Sequence, residues 1–515
     1  MTASPAPQQK APKHAISPTR AENYAEWYQK VIRGADMAEF SGVRGCMVIK
    51  PWGYGIWELI QGALDKRFKD TGHENAYFPL FIPLSYIQKE AAHVEGFAKE
   101  MAVVTHHRLT MKDGVLTPDA PLEEPLVVRP TSETVIGEAF AGWVQSYRDL
   151  PILVNQWANV VRWELRPRIF LRTVEFLWQE GHTAHADEAE ARAETEQMLR
   201  VYEDVAQNVL ALPVVVGEKP PHERFPGAVN TYCIEAMMQD GRALQSGTSH
   251  YLGQNFSKAS EIKFQSKAGE IEYAYTTSWG VSTRLIGAII MAHADDDGLR
   301  LPPAIAPQQI VIVPILREGA DHDAVLGYAE KVLASLKAQS FNSLPVRAKI
   351  DKRDMAAQEK RWEWIRKGVP LILEIGPRDV EGGQVAVVRR DQMTAKKRFV
   401  GADEFSSQLG AELAEIQQAL FAEAKTLRDT RTVTDVTSFA ELEKYFGKSG
   451  GGDNGFTGGQ GFVRGKWCGC ETSLAMLDPL GVTVRCIPFD QDGKTGTCVL
   501  TGKPATQDVI FARAY

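Results

Sequence analysis

Cysteine is scarce in this chain: six in 515 residues, with Cys46 and Cys233 standing alone. That excludes a disulfide-stapled scaffold and suits a reducing compartment. Long apolar runs are missing too. The longest, Leu285 to Ala292, is too short to span a bilayer, and the opening MTASPAPQQKAPKHAISP has no apolar stretch of the secretory kind. A cytoplasmic protein with no membrane role is expected. A phosphate-binding glycine loop is also absent, because Pro488 stands where the first glycine before Gly493-Lys494-Thr495 would have to be. Nor is there an excess of basic charge: a net −7 excludes indiscriminate coating of nucleic acid or anionic membrane.

The composition is ordinary for a globular protein, 44% hydrophobic and 24% charged, and the length allows about three domains. Charge is uneven, however. Residues 341–400 carry 14 Lys and Arg against 8 Asp and Glu, a basic face that is either solvated or placed for a polyanion.

The densest chemistry lies in 158–185, ANVVRWELRPRIFLRTVEFLWQEGHTAH, where Arg162, Arg166, Arg168 and Arg172 alternate with Trp163, Phe170, Phe176 and Trp178 and with Glu164, Glu175 and Glu180. The pattern predicts an antiparallel hairpin, VVRWEL and FLRTVEFLW around a PRI turn, with Arg162, Glu164, Arg172 and Glu180 on one polar face. An ion-paired surface hairpin would account for the charges. A site for a polyanion would as well, since guanidinium groups grip phosphate oxygens in pairs and Phe176 offers a stacking face.

The word R-W-E followed by F-L-R-T-V-E-F-L-W-Q-E-G-H-T-A-H resembles motif 2 of class II aminoacyl-tRNA synthetases, and in detail that of the prolyl-tRNA synthetases. The rest of the chain extends the resemblance. Thr19 and Glu22 form a capping-box pattern for a helix to about Asp36. A second helix, Tyr54 to Lys69, ends at Gly72 and leads into NAYFPLFIP. Core packing would explain that unit; by resemblance it is motif 1, with Pro79 its proline, which implies a homodimer.

VVRPTSETVIGEAF reads as a strand and a helix start, and a capping box alone would account for Thr131 and Glu133. It is similar to the T-x-E loop whose threonine and glutamate hold the ring nitrogen of proline. GRALQSGTSHYLGQNFS reads either as a tight turn or as a close-approach loop for a dense polar ligand. It resembles the family word Q-x-G-T-S-H, which implies nucleotide contacts from Gln245 and Thr248 and a proline contact from His250. YAYTTSWGVSTRLIGAIIMAH puts Arg284 in the first turn of a helix, where the dipole disfavours a cation without an anionic partner. It looks like motif 3.

The resemblance thus implies ATP-dependent activation of L-proline and its transfer to tRNA(Pro), with Arg162 and Arg284 catalytic. ATP would be held by Arg162, Glu164, Arg172, Phe176, Gln245, Thr248, Ser282 and Arg284. Proline would be held by Thr131, Glu133, Arg162, Trp178, Glu180, His182, His250 and Ser278. Mg2+ would accompany the triphosphate. His182 and His185 lack a third ligand at metal spacing, so His182 reads as a pocket wall. About 110 residues separate motif 2 from motif 3, which implies the archaeal/eukaryotic-type enzyme without the large editing insertion. Rival readings are a class II synthetase of another specificity and a silent tRNA-binding paralogue. Pocket size alone separates small apolar substrates by about 1–3 kcal/mol, so some mischarging with alanine or cysteine is expected.

From Pro307 strands and helices alternate, predicting a compact α/β unit with a mixed sheet. It resembles the family's anticodon-binding domain, and Glu374, Arg378 and Arg390 are the candidates for reading bases. The C-terminal region holds Cys468, Cys470, Cys486 and Cys498, where relatives often carry zinc. Here the first pair is shortened to C-x-C and Thr501 takes the last ligand place, so no metal is expected.

The expected architecture is α/β and multidomain: a disordered tail over 1–18, a class II antiparallel-sheet catalytic core over 19–300, an α/β anticodon-binding domain over 307–427 and a small α+β C-terminal domain over 428–515. Residues 447–461, GKSGGGDNGFTGGQG, read as a flexible loop.

Overall fold

The structure is a computed structural model that describes residues 14–89, 100–447 and 461–515. The tail before residue 14 and the glycine-rich loop over 448–460 lie outside the described residues. Residues 14–18, expected in the disordered tail, are docked. The Ala15 and Ile16 N–H groups donate to the Asp297 carboxylate and the Asp296 carbonyl, and Ile16 is buried.

An eleven-stranded sheet dominates. Its centre is antiparallel, in the order Val214–Glu218, Asn230–Met237, Ala243–Gly253, Tyr275–Ser282, Glu175–His185 and Ile152–Val161. One face is covered by the helices Pro51–Asp70, Glu188–Asp204 and Arg284–His293, which bury Phe68, Tyr202 and Trp279 together. The Trp279 ring lies 5.0 Å from that of Phe68 and crosses Gly181 of the neighbouring strand, where a Cβ would stand 2.0 Å from the ring. Glycine is required there by the close approach.

Local starts differ from the sequence pattern in two places. The first helix is Tyr24–Gly34, capped by the Asn23 side chain accepting from Glu26 N–H; Thr19 and Glu22 close a separate turn before it. The second begins at Pro51, whose missing N–H costs nothing in a first helical turn.

The motif 2 hairpin is also shorter than alternation predicts. Its strands end at Val161 and resume at Glu175. Between them Ile169, Phe170 and Leu171 turn inward and are buried, with Phe170 at φ 63°. Their apolar surface gains more from the core than from extending an exposed ladder.

The second unit is a five-stranded mixed sheet in the order Ala348–Ile350, Ile310–Pro314, Leu371–Ile375, Gln384–Arg389 and Arg398–Gly401. The first three strands are parallel and the last two antiparallel. The helices His322–Lys337 and Ala402–Thr430 contribute Val325, Leu336, Phe405 and Leu413 to its core.

C-terminal strands join the catalytic sheet directly. Thr483–Pro488 pairs with Val214–Glu218 through Gly217↔Pro488 and Glu218↔Ile487. Beneath that seam the buried Glu235 carboxylate accepts from Lys219 Nζ at 2.8 Å and Arg485 Nη2 at 3.0 Å. Burial raises the Glu235 pKa, but the two cations outweigh it and hold the group ionised. Of the four C-terminal cysteines, Cys468 and Cys498 both meet Thr501, while Cys486 stands apart. Cys486 packs with Cys233 in the sheet, Cys468 Sγ lies 3.4 Å from Thr501 Oγ1, and Cys470 Sγ lies 3.2 Å from Thr472 Oγ1. No helix among the described residues is long and apolar enough to cross a membrane.

Candidate active site

Strand periodicity builds the site. Side chains two apart share a face, and register aligns three such rows: Trp178 opposite Ser282; Glu180 opposite Gly280, which faces Thr248; and His182 opposite Ser278, which faces His250. Gly280 leaves the middle row open between Glu180 and Thr248. A cavity of about 260 Å³ lies over this face, bounded also by Thr131, Glu133, Arg162, Phe176, Gln245 and Arg284.

One end of the cavity is a web of acceptors. Glu180 is buried, and its Oε1 accepts from Ser132 Oγ at 2.5 Å and Gln156 Nε2 at 2.8 Å, while Oε2 lies 3.1 Å from His182 Nε2. Burial alone would raise the carboxyl pKa; His182, Ser132 and Gln156 more than offset it and hold it below the ordinary range. Burial opposes charge on His182 as well, yet Glu180 and Glu133 push its pKa up. His250, with no carboxylate partner among the described residues, is driven by burial and by the His182 charge down to about 3.

Ser132 caps the helix Glu133–Trp143 by position without a side-chain bond to it, so the capping-box reading does not hold. The Thr131 hydroxyl donates to the Glu133 carboxylate instead, and both line the cavity.

The other end is cationic. Arg162 Nε donates to the Pro130 carbonyl at 2.9 Å, and its guanidinium lies 5.8 and 5.6 Å from the Phe176 and Trp178 ring centres. Burial lowers its pKa against the pull of Glu133, Glu100 and Glu180. Arg284 Nε donates to the Leu171 carbonyl at 3.3 Å, and Ser282 Oγ accepts from Arg284 N–H at 3.2 Å. Burial first, then the neighbouring Arg172 and Arg162, press the Arg284 pKa down to about 10. A pocket that stacks like charges this way stabilises an anion held between them.

Of the candidate residues, Thr131, Glu133, Arg162, Phe176, Trp178, Glu180, His182, Gln245, Thr248, His250, Ser278, Ser282 and Arg284 all line this one cavity. Glu164 and Arg172 do not. They belong to the 162–174 loop, where Glu164 accepts from Arg166 N–H and Arg172 is exposed, so they stand outside the cavity rather than in its wall. Sequence reasoning missed Glu223, Phe225 and Thr231. No strand period marks Glu223 and Phe225, because the short 3-10 turn Pro221–Glu223 and the loop after it bring them across; Thr231 stands near a strand start, opposite His250.

Two of the three base-reading candidates are engaged by partners within the protein. Arg390 is 2% exposed and forms a bidentate pair with Asp295 while donating to the Ile365 and Gly298 carbonyls, so it ties the α/β unit to the catalytic unit. Glu374 is buried and holds Lys397 and Arg361. Arg378 alone is exposed.

Comparison with known proteins agrees with this geometry. The class II core domain of tRNA synthetases (G, H, P, S and T) matches residues 117–293, the anticodon binding domain 309–412, and the prolyl-tRNA synthetase C-terminal family 456–515. The proline--tRNA ligase of Paramagnetospirillum magneticum is 62% identical over 98% of this chain and 100% of its own. That of Protochlamydia amoebophila is 59% identical over 98% and 99%. The crystal structure of prolyl-tRNA synthetase from Cryptosporidium parvum complexed with halofuginone and AMPPNP superposes with a TM-score of 0.87 at 37% identity over 97% of both chains. The same enzyme complexed with L-proline and AMP gives 0.86 at 36%, again over 97% of both. With relatives this similar along almost its whole length, the chain belongs to the prolyl-tRNA synthetase family of class II aminoacyl-tRNA synthetases.

Proposed function

We propose that the chain activates L-proline with ATP and transfers it to tRNA(Pro). The observation that carries this reading is the polarity of one cavity, with paired acceptors around Glu180 at one end and Arg162 and Arg284 at the other. A proline carboxylate attacks the α-phosphorus, pyrophosphate leaves, and prolyl-adenylate remains. A ribose hydroxyl at the 3′ end of the tRNA then attacks the prolyl carbonyl and AMP departs.

In this reading the secondary ammonium of proline donates to Thr131 and Glu133, its ring lies against Trp178, and Glu180 fixes His182 beside it, with His250 and Ser278 completing the wall. Arg162 stabilises charge on the α-phosphate, and Arg284 with Arg172 the outer phosphates. Phe176 stacks on adenine and Glu164 accepts from its amino group, both on the motif 2 segment. Gln245, Thr248 and Ser282 contact the nucleotide. Catalysis is positioning and charge stabilisation.

Glu164 and Arg172 reach ATP in this scheme by movement of the 162–174 loop, since both now stand outside the cavity wall. Mg2+ is expected with the triphosphate. Among the described residues no group of three or more His, Cys, Asp or Glu is placed to hold a metal ion. The ion is therefore part of the nucleotide substrate.

The segment between His185 and Tyr275 holds one long helix, core strands and short connections, which supports the archaeal/eukaryotic-type architecture without an editing insertion. Exposed Tyr77 and Phe81 in motif 1, and Leu109, Met111 and Leu116 on the hairpin Leu109–Pro118, support a homodimer. Arg378 supports a tRNA contact by the α/β unit. The division at 19–300, 307–427 and 428–515 is retained as a functional one, in a cytoplasmic enzyme.

The test is amino-acid-dependent ATP–pyrophosphate exchange across all twenty amino acids. Exchange led by proline supports the reading, and exchange led by another amino acid sinks it.

A further inference from the structure

Thr231 stands second in the strand Asn230–Met237, directly opposite His250, and is 2% exposed. Its hydroxyl has two neighbours. Oγ1 accepts from the Phe225 N–H at 2.9 Å and lies 3.0 Å from His250 Nδ1. A threonine hydroxyl has one proton to donate and lone pairs to accept with. The Phe225 amide is always a donor, so that contact uses a lone pair. Among the described residues the hydroxyl proton then has one acceptor in reach, Nδ1 of His250. If Nδ1 were protonated, both neighbours would be donors and the hydroxyl proton would be buried without an acceptor, which folded proteins avoid.

The imidazole carries no charge to complicate this, because burial and the facing His182 hold its pKa near 3. The other groups close to it are Ser278 on the next strand and the Phe225 ring, 4.8 Å away and tilted by 32°. A neutral ring has one N–H, and it is therefore on Nε2, which has no hydrogen-bond partner among the described residues while His250 lines the cavity.

We propose that Thr231 is a positioning residue for the amino-acid end of the cavity: it fixes His250 as the Nε2–H tautomer and anchors Phe225 against the imidazole. The fixed N–H is a donor suited to an acceptor oxygen. On the proposed activity, on which this consequence rests, that oxygen is a carboxylate oxygen of proline or the carbonyl of its adenylate. The opposite tautomer would turn a lone pair toward the same oxygen and repel it. Anchoring Phe225 also keeps its ring stacked toward Phe256, 6.3 Å away, and so keeps the loop between Pro221 and Asn230 against the site.

Two measurements on the full chain test this. In protein labelled with 15N-histidine, ring-nitrogen shifts report the tautomer, and the His250 resonances are those lost in His250→Asn. Exchange kinetics are compared for wild type, Thr231→Val and Thr231→Ser. The expected wild-type ring carries its proton on Nε2. Thr231→Val shifts it toward Nδ1 and raises KM for proline roughly tenfold, the scale of one lost hydrogen bond, with kcat and KM for ATP little changed. Thr231→Ser restores both readouts, which separates the hydroxyl from the packing. A wild-type ring protonated on Nδ1 overturns the proposal, as does a valine variant with unchanged tautomer and KM for proline, or an equal rise in KM for ATP. If wild type shows no proline-dependent exchange, the activity assignment fails, and the tautomer measurement, which needs no substrate, decides the role of Thr231 alone.

Discussion

His182 Nε2 lies 3.1 Å from Glu180 Oε2, two residues along the same strand and on the same face. Burial penalises both charges, and each is kept by the other: the carboxyl pKa is lowered and the imidazole pKa raised. The signs set a pH window. The His182 contribution is complete below the ordinary 6.5 and is lost as pH rises through the raised value. The Glu180 contribution is complete above the ordinary 4.5 and is lost as pH falls through the lowered value. The difference in unfolding midpoint between wild type and His182→Gln should be widest between those limits and narrow toward alkaline pH. A difference that stays flat across the range would mean that His182 is not charged.

Arg162→Ala should leave the fold intact, because the side chain is half-buried in the cavity wall rather than packed in the core. Loss of a preorganised donor to a developing negative charge costs about 10²–10³ in rate. Proline-dependent exchange should fall by about that factor with an unchanged unfolding midpoint. A variant with near-normal exchange would remove Arg162 from the reacting phosphate.

Most of the cavity was legible in the sequence because it is built on strands. Period-two spacing carries Trp178, Glu180 and His182 to one face, and the motif words supply their counterparts at Ser278, Gly280, Thr248 and His250. What escaped is what strands do not determine. Glu164 and Arg172 were placed on a continued hairpin, but buried Ile169, Phe170 and Leu171 draw that stretch into the core and leave a loop. Phe225 arrives from an irregular segment, where its N–H donates to Thr231 Oγ1. Arg390 carries the residue type of a base reader, and only burial against Asp295 reveals its structural use.

Gly181→Ala should destabilise the catalytic unit without touching any charged group of the site. The added methyl would stand 2.0 Å from the Trp279 ring, which is 1% exposed and pinned among Phe68, Tyr202 and His73. Overpacking of this kind costs about 1–3 kcal/mol. A denaturant midpoint lowered to match, with KM for proline and ATP both raised as the neighbouring Glu180 row shifts, is the expected result. An unchanged midpoint would show that the ring relocates freely.

Arg390 and Arg378 should separate stability from RNA binding. Removing Arg390 strands the Asp295 carboxylate, whose pKa burial raises and Arg390 lowers, in the seam between the two units. Breaking a fully buried pair from one side costs about 3–5 kcal/mol, and the loss is smaller here because the Asp295 side chain is 23% exposed. Arg390→Ala should therefore lower the unfolding midpoint and expose the seam to proteolysis near Asp295. Arg378 is exposed, and Arg378→Ala should leave the midpoint alone while weakening tRNA(Pro) binding, with the salt dependence of affinity reduced by about one ion. The pair is read together in one filter-binding and one unfolding experiment. If Arg390→Ala instead binds tRNA less tightly at full stability, the interdomain assignment is wrong and Arg390 returns to the RNA-reading surface.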